Sequence, residues 1–155
     1  MKRVFSRFIA LDRSQRRLVI EAAALLGLVG AAMSVCGFAR SRPLLERCAG
    51  IRKASTTSAT AGSLRTSIEP STVAWAVTAA ASRFPFWHTC LVKAIVTDLM
   101  LKRRGTPSAI FVGVRRGQIA ASIDAHAWVE SGGAVVIGAL EDLGDFTVLS
   151  GARLL

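Results

Sequence analysis

The sequence predicts an α+β fold in which helices come first and a mostly antiparallel sheet follows. Up to Gly105, apolar residues recur at three- and four-residue steps, and after it they recur at two-residue steps. Turn residues then separate several short apolar runs, which favours hairpins over parallel crossovers. A chain of 155 residues has room for one such domain and an extension.

Residues 1–53 are predicted to be a basic, apolar helical extension. Leu18 to Ala39 is strongly apolar with Glu21 as its one charge, and Arg42-Pro43 is expected to break the helix. Its alanines and glycines permit close packing against another helix in a protein core or in a membrane. We favour a helix buried against protein over a membrane span. Basic residues flank both ends, so a membrane span would have no clear orientation. Whether Leu18 to Ala39 is buried in protein or in membrane stays open.

The basic charge of the chain is concentrated in its first part. Residues 1–66 carry 12 Lys and Arg against 3 Asp and Glu, whereas residues 67–155 carry 8 against 7. Such an excess suits a nucleic acid, an anionic membrane surface or an acidic partner. Because no nucleic-acid-binding motif accompanies it, we expect no nucleic-acid partner.

The catalytic unit is predicted to occupy residues 69–155, after a small, polar linker at 54–68. Its first helix follows Pro70, with Ser71 or Thr72 as the cap, and ends before Phe84-Pro85. Val73, Ala76, Val77 and Ala80 are expected to share its buried side. Trp75 and Trp87 are expected in the core or a pocket wall.

The stretch from His88 to Gly105 is predicted to be one helix with a cysteine in its first turn. Thr89 can cap its amino end, while Gly105 and the proline that follows stop it. Cys90 would lie where backbone N–H groups are unpaired and the helix dipole is positive, which favours thiolate over thiol. A buried structural cysteine is the alternative for a lone thiol.

Strands are predicted at residues 109–114, 119–122, 125–130, 134–137 and 146–149, with turns at 115–117 and 131–133. Alternation in the 125–130 strand puts His126, Trp128 and Glu130 on one face. Alone, His126 would be a structural histidine. Together with Cys90 it indicates a thiolate–imidazolium pair, which makes a cysteine nucleophilic at neutral pH.

The three cysteines, Cys36, Cys48 and Cys90, do not form a disulfide scaffold pattern. We therefore expect a reducing, cytoplasmic setting. The two histidines form no metal-ligand cluster with Cys36 or Cys48, so neither a metal nor a cofactor is expected.

Three segments carry a resemblance to a known family: TCLVKAIVTDLMLKRRG, IFVGVRRG and DAHAWVESGG. Over about residues 70–150 they resemble the leader peptidase of lasso-peptide biosynthesis, a transglutaminase-like (papain-like) cysteine protease of the microcin-J-type maturation proteins. The resemblance implies that Cys90 is the nucleophile and His126 the general base and acid. Because Cys90 is at the helix start, its backbone N–H is expected to be an oxyanion donor. The reaction that the resemblance implies separates the leader of a precursor peptide from the core.

The resemblance also implies partners. They are the precursor peptide, a leader-recognition protein and an ATP-dependent lasso cyclase that uses the freed core amine. Since residues 1–68 do not have a compact leader-binding pattern, we expect the recognition protein to be a separate chain. Association with the surface of the inner membrane stays open.

One departure from the family concerns the acid that orients the imidazole. The family places it on the strand after the histidine strand, where this chain has Gly138, which has no side chain for the role. Asp124, Glu141 and Asp142 are the alternatives, and Glu130 is too distant along the strand. Two other functions also stay open, a transglutaminase-like acyltransferase or amidase and a non-catalytic scaffold that docks a membrane or partner.

Overall fold

The computed structural model describes residues 12–48, 68–83, 89–117 and 122–149. In these ranges three helices come first, α1 (Arg13–Cys48), α2 (Pro70–Ala81) and α3 (Cys90–Lys102). Four strands follow, β1 (Ala109–Arg116), β2 (Ile123–Ser131), β3 (Ala134–Ile137) and β4 (Thr147–Val148), with a 3₁₀ turn, Leu143–Asp145, before β4. The predicted α+β order of helices and then strands is confirmed.

The strands form one antiparallel sheet in the order β3-β2-β1-β4. β1 and β2 pair along their whole length, so that Gly113 lies opposite His126 and Arg115 opposite Asp124. The predicted hairpin at 131–133 joins β2 to β3, and the last strand closes the sheet against β1 as expected. The predicted strand at 119–122 falls almost entirely outside the described residues.

α2 and α3 pack on one face of the sheet and α1 packs against these two helices, so that all share one apolar core. Ala127 and Val129 of β2 and Ile110 of β1 are buried in this core. They pack with buried residues of all three helices, among them Leu26, Val29, Val73, Val77, Ile95 and Leu99. Burial of this apolar area is the main stabilising contribution to the fold.

α1 is packed along part of its length against the other helices. Its buried residues include Leu18, Ala22 and Leu26, and Glu21 binds Arg104 after α3, with Oε2 and Nη2 2.5 Å apart. The stretch Arg13–Val35 is also long and apolar enough to cross a membrane by length and composition, with 39% of its most apolar window buried in the protein.

Four local predictions are wrong. Arg115 and Arg116, predicted to begin a turn, are the last residues of β1, because their backbones continue the pairing with Asp124 and Ile123 of β2. α1 continues through Pro43 to Cys48, because a proline removes one backbone hydrogen bond without obliging a long helix to end. α2 has Glu69 as its N-cap residue, with no side-chain cap from Ser71 or Thr72, because Pro70 occupies the first helical position. Trp75 is 42% exposed instead of lining the core.

Two regions named in the predictions lie outside the described residues. The linker at 54–68 does so except for its last residue, and so do Trp87 and His88. The domain boundaries at 53 and 68 therefore stay predictions.

Candidate active site

Cys90 is the first residue of α3, as predicted, and its thiol is free and half buried. Thr89 caps the helix, with Oγ1 accepting a hydrogen bond from the Val92 N–H at 3.3 Å. No acceptor for the N–H groups of Cys90 and Leu91 occurs among the described residues. These two donors are therefore available to bind an oxyanion beside the thiol.

His126 lies near the start of β2, in a cage of aromatic side chains. Its ring stacks beside Trp128 with centroids 6.3 Å apart, and Phe146 lies tilted against it at 5.7 Å. Trp128 is buried, stacks on Phe111 and donates from Nε1 to Glu130 Oε1 at 3.0 Å. Glu130 is thus committed to Trp128, in agreement with its exclusion as a partner of His126.

The helix that begins at Cys90 packs against the strand that carries His126. Asp98 in α3 accepts a hydrogen bond from Ser108, just before β1, at 2.7 Å. From this junction Cys90 is eight residues back along α3, about 12 Å. Gly113, which pairs with His126, is five residues forward along β1, about 17 Å. Cys90 and Gly113 are therefore at comparable distances from this junction, one along the helix and one along the strand.

The thiol and the imidazole are not joined directly. Cys90 packs against the core on the helical side of the sheet, whereas alternation along β2 directs His126 to the side of Trp128, opposite Ala127 and Val129. Among the described residues, no hydrogen bond or ion pair connects Cys90 with His126. Catalytic hydrogen bonds are often long or misaligned without substrate, so this separation does not decide their roles.

The nearest hydrogen-bonding partner of His126 is a backbone group. Its Nε2 lies 2.8 Å from the carbonyl oxygen of Gly138, directly after β3. Sequence reasoning considered side chains alone and dismissed Gly138, because a backbone acceptor has no signature in residue type. The carbonyl occupies the neighbourhood in which the acid was expected.

Two of the three candidate carboxylates bind Arg115 instead. Asp142 accepts a hydrogen bond from Arg115 Nη1, and Asp124 Oδ2 lies 3.5 Å from Arg115 Nε. The guanidinium also lies over the ring of Phe146, 4.5 Å from its centroid. Sequence reasoning missed both Arg115 and Phe146 at this site, since they come from distant parts of the chain.

The Arg115 guanidinium lowers the pKa of Asp142, chiefly through this hydrogen bond, and the charge of nearby His126 acts weakly in the same direction. The two aspartates in turn raise the pKa of Arg115. Asp142 is therefore ionised at neutral pH and close enough to His126 for their charges to interact. Glu141, the third candidate, is exposed to solvent.

No group of three or more His, Cys, Asp and Glu side chains converges as metal ligands in the part of the chain that the structure describes. The described site consists of a helix-start thiol, a caged imidazole and an arginine–carboxylate cluster. Such a set can perform nucleophilic acyl chemistry once thiol and imidazole meet across a substrate carbonyl.

Comparison with known proteins identifies the fold. Neither the curated proteins nor the solved structures that were searched gave a match. A family model described as the transglutaminase-like superfamily matches residues 32–151, more than three quarters of the chain, including the thiol, the imidazole and Gly138. Members of this superfamily are commonly cysteine peptidases or acyltransferases. The chain belongs to the transglutaminase-like superfamily.

Proposed function

We propose that the protein is a cysteine peptidase that removes the leader from a lasso-peptide precursor, with Cys90 as nucleophile and His126 as general base and acid. One observation supports this most: a chain of the transglutaminase-like superfamily carries a free thiol at the first residue of a helix and an imidazole on a strand of the sheet that packs against that helix. The quoted motifs around both residues support the lasso-precursor specificity.

In the proposed reaction, His126 takes the thiol proton and Cys90 Sγ attacks the carbonyl carbon of the last leader residue. The N–H groups of Cys90 and Leu91, which have no acceptor among the described residues, stabilise the negative charge that develops on the carbonyl oxygen. The C–N bond breaks, His126 delivers its proton to the core amine, and the leader remains as a thioester. Water then hydrolyses the thioester, which returns the thiol and releases the leader carboxylate.

The released core amine fits a following acylation. In the proposed pathway, an ATP-dependent cyclase joins it to an acidic side chain of the core. A separate leader-recognition protein would deliver the precursor, so the peptidase alone would bind it weakly. A cytoplasmic setting keeps the thiol reduced for this chemistry.

The direct experiment follows a precursor peptide by mass spectrometry in the presence of its leader-recognition protein. Cys90→Ala and His126→Ala should each abolish cleavage while circular dichroism and thermal unfolding remain near those of the wild type. Cys36→Ala is the matched control, because it removes a thiol elsewhere and should retain cleavage. Cleavage by folded Cys90→Ala protein would contradict the proposal.

Acyl transfer is the second candidate, and the shared superfamily favours it. A thioester at Cys90 can be attacked by an amine instead of water. Mass spectrometry separates the two, since hydrolysis adds one water across the bond and transfer adds the amine. A product that carries an added amine at the leader end would replace peptidase with acyltransferase.

A non-catalytic scaffold is the third candidate, and the missing contact between Cys90 and His126 favours it. A cysteine-directed electrophile at neutral pH distinguishes it from an enzyme. An active site should react selectively at Cys90, and His126→Gln should slow that reaction. Equal and slow labelling of all three thiols would support the scaffold.

Association with an anionic membrane surface is a separable part of the proposal. Ile20, Leu28 and Val35 of α1 are 58%, 52% and 83% exposed, and Arg13 and Arg17 are exposed on the same helix. Flotation with vesicles that contain anionic lipid should carry the wild type upward, and Leu28→Ser should weaken this. Equal recovery with neutral vesicles, or none with either, would contradict it.

A further inference from the structure

We infer that the backbone carbonyl of Gly138 is the group that orients the His126 imidazole, in the role otherwise given to a carboxylate. Gly138 is thus a positioning residue that acts through His126. The role of Gly138 in catalysis rests on the proposed function. The protonation of His126 Nε2 that the contact requires does not depend on that function.

A carbonyl oxygen can only accept a hydrogen bond, so the nitrogen that faces it must carry the proton. His126 Nε2 lies 2.8 Å from the Gly138 oxygen, a distance typical of a well-formed hydrogen bond. In the neutral ring, Nδ1 is then the unprotonated nitrogen. Among the described residues Nδ1 has no hydrogen-bonding partner. It is therefore the atom available to take the thiol proton.

The side chains around the ring leave no other orienting acceptor in the described structure. Asp142 and Asp124 both bind Arg115, and Glu130 accepts from Trp128. The aromatic rings on either side restrict rotation of the imidazole but cannot select a tautomer. The carbonyl is the one described acceptor that touches a ring nitrogen.

The backbone at Gly138 is built for this contact and excludes a side chain. Its φ is +82°, a conformation that residues with a Cβ rarely adopt. A Cβ there would also lie 2.8 Å from the Ala127 oxygen and 2.9 Å from Trp128 Cβ. Both neighbours belong to the adjacent strand and cannot move aside cheaply. An aspartate could not replace Gly138 unless this turn were rebuilt.

A carbonyl is uncharged, so it orients the ring without supplying the full counter-charge of a carboxylate. The nearby carboxylates of Asp142 and Asp124 bind Arg115 instead of the ring. The group that orients the ring is thus a backbone carbonyl and not an acid.

The first test reads the tautomer directly. Nitrogen-15 NMR of the imidazole rings separates protonated from unprotonated nitrogens, and the chain has only two histidines. His126→Gln assigns the signals. The neutral His126 ring of the full-length wild-type protein should carry its proton on Nε2. A ring with the proton on Nδ1 would overturn the inference, whatever the protein does to a precursor.

The second test compares Gly138→Ala with Gly133→Ala. Gly133 has a φ of +81° but no atom within 4 Å of its Cβ position, so Gly133→Ala carries the backbone strain without the displacement. Gly138→Ala should lower kcat about 10- to 100-fold with little change in KM, part of the ~10²–10⁴ that a positioned base contributes. It should also raise the fraction of the Nδ1–H tautomer, and Gly133→Ala should change neither.

Equal effects of the two alanine variants would refute the positioning role. If Gly138→Ala fails to fold, the tautomer of the wild type still decides the inference. If the protein cleaves no precursor but His126 carries its proton on Nε2, the peptidase proposal is refuted and the orientation of His126 by Gly138 is supported. The failures of the two proposals are therefore distinguishable.

Discussion

Gly113→Ala tests how tightly Phe146 and Trp128, the aromatic neighbours of His126, pack against β1. Gly113 pairs with His126 across β1 and β2. A Cβ built on it would lie 2.9 Å from Phe146 Cβ and 3.1 Å from two ring atoms of Trp128. Carbon atoms pack best at about 3.5–4.0 Å, so the methyl would displace its neighbours by about half an ångström or more.

The expected change in the free energy of unfolding is the sum of two opposed effects. Replacing a strand glycine by alanine gains roughly 0.5–1 kcal/mol, because the unfolded chain loses freedom. Overpacking a buried site costs about 1–3 kcal/mol. Neither Phe146 Cβ nor the Trp128 indole is the free end of a flexible side chain, so we expect overpacking to dominate. The net loss should be about 1–2 kcal/mol.

Urea denaturation followed by Trp fluorescence measures this loss, and thermal unfolding should show a Tm lower by several degrees. Gly27→Ala is the matched control: its Cβ position in α1 has nothing within 4 Å, so the same substitution should stabilise by about 0.5–1 kcal/mol. If Gly113→Ala were as stable as Gly27→Ala, the close packing described for this cluster would be refuted.

Three further variants probe the contacts around the site and α1. Arg115→Gln removes the hydrogen bond that lowers the pKa of Asp142. The stabilisation from this bond is present above the usual pKa of 3.8 and is lost as pH falls through the folded pKa. Denaturant melts of variant and wild type should therefore differ at pH 7, and the difference should shrink as the pH falls below 3.8. A constant difference would contradict this. Glu21→Gln should lower the free energy of unfolding, measured in urea, by about 1–2 kcal/mol. The loss should be smaller when Arg104→Gln is already present, and an equal loss in both backgrounds would refute the pairing of Glu21 with Arg104. Trp128→Ala should lower the free energy of unfolding, measured in urea, by about 3–5 kcal/mol because the indole is buried. A loss under 1 kcal/mol would contradict that burial.

Local signals in the sequence are sufficient for most of the secondary structure. Thr89 caps α3 as predicted because capping depends on one side chain and the N–H groups just after it. The change in apolar period at Gly105 and the glycine pair after Ser131 likewise predict the hairpins. Each of these features is decided within a few residues.

Errors and omissions arise where contacts between distant parts of the chain decide the outcome. The sequence predicts that Pro43 ends α1, yet the helix continues to Cys48, because a long helix can lose one backbone hydrogen bond and remain stable. Asp98 occupies the position of an ordinary polar helix residue in the sequence, yet it is fully buried with Lys102 Nζ 2.8 Å from its Oδ2. Only the packing of the helices around it determines that burial.

The site shows the same limit most clearly at His126. Sequence comparison looks for a carboxylate beside this histidine, because side chains are what a sequence records. Every residue supplies a carbonyl, so nothing in residue type marks the one at Gly138 as an acceptor. What the sequence does record is the consequence, a glycine at a φ of +82° where a side chain would collide with β2. A glycine in place of an expected acid therefore indicates either a lost function or a backbone substitute, and the tautomer of His126 distinguishes the two.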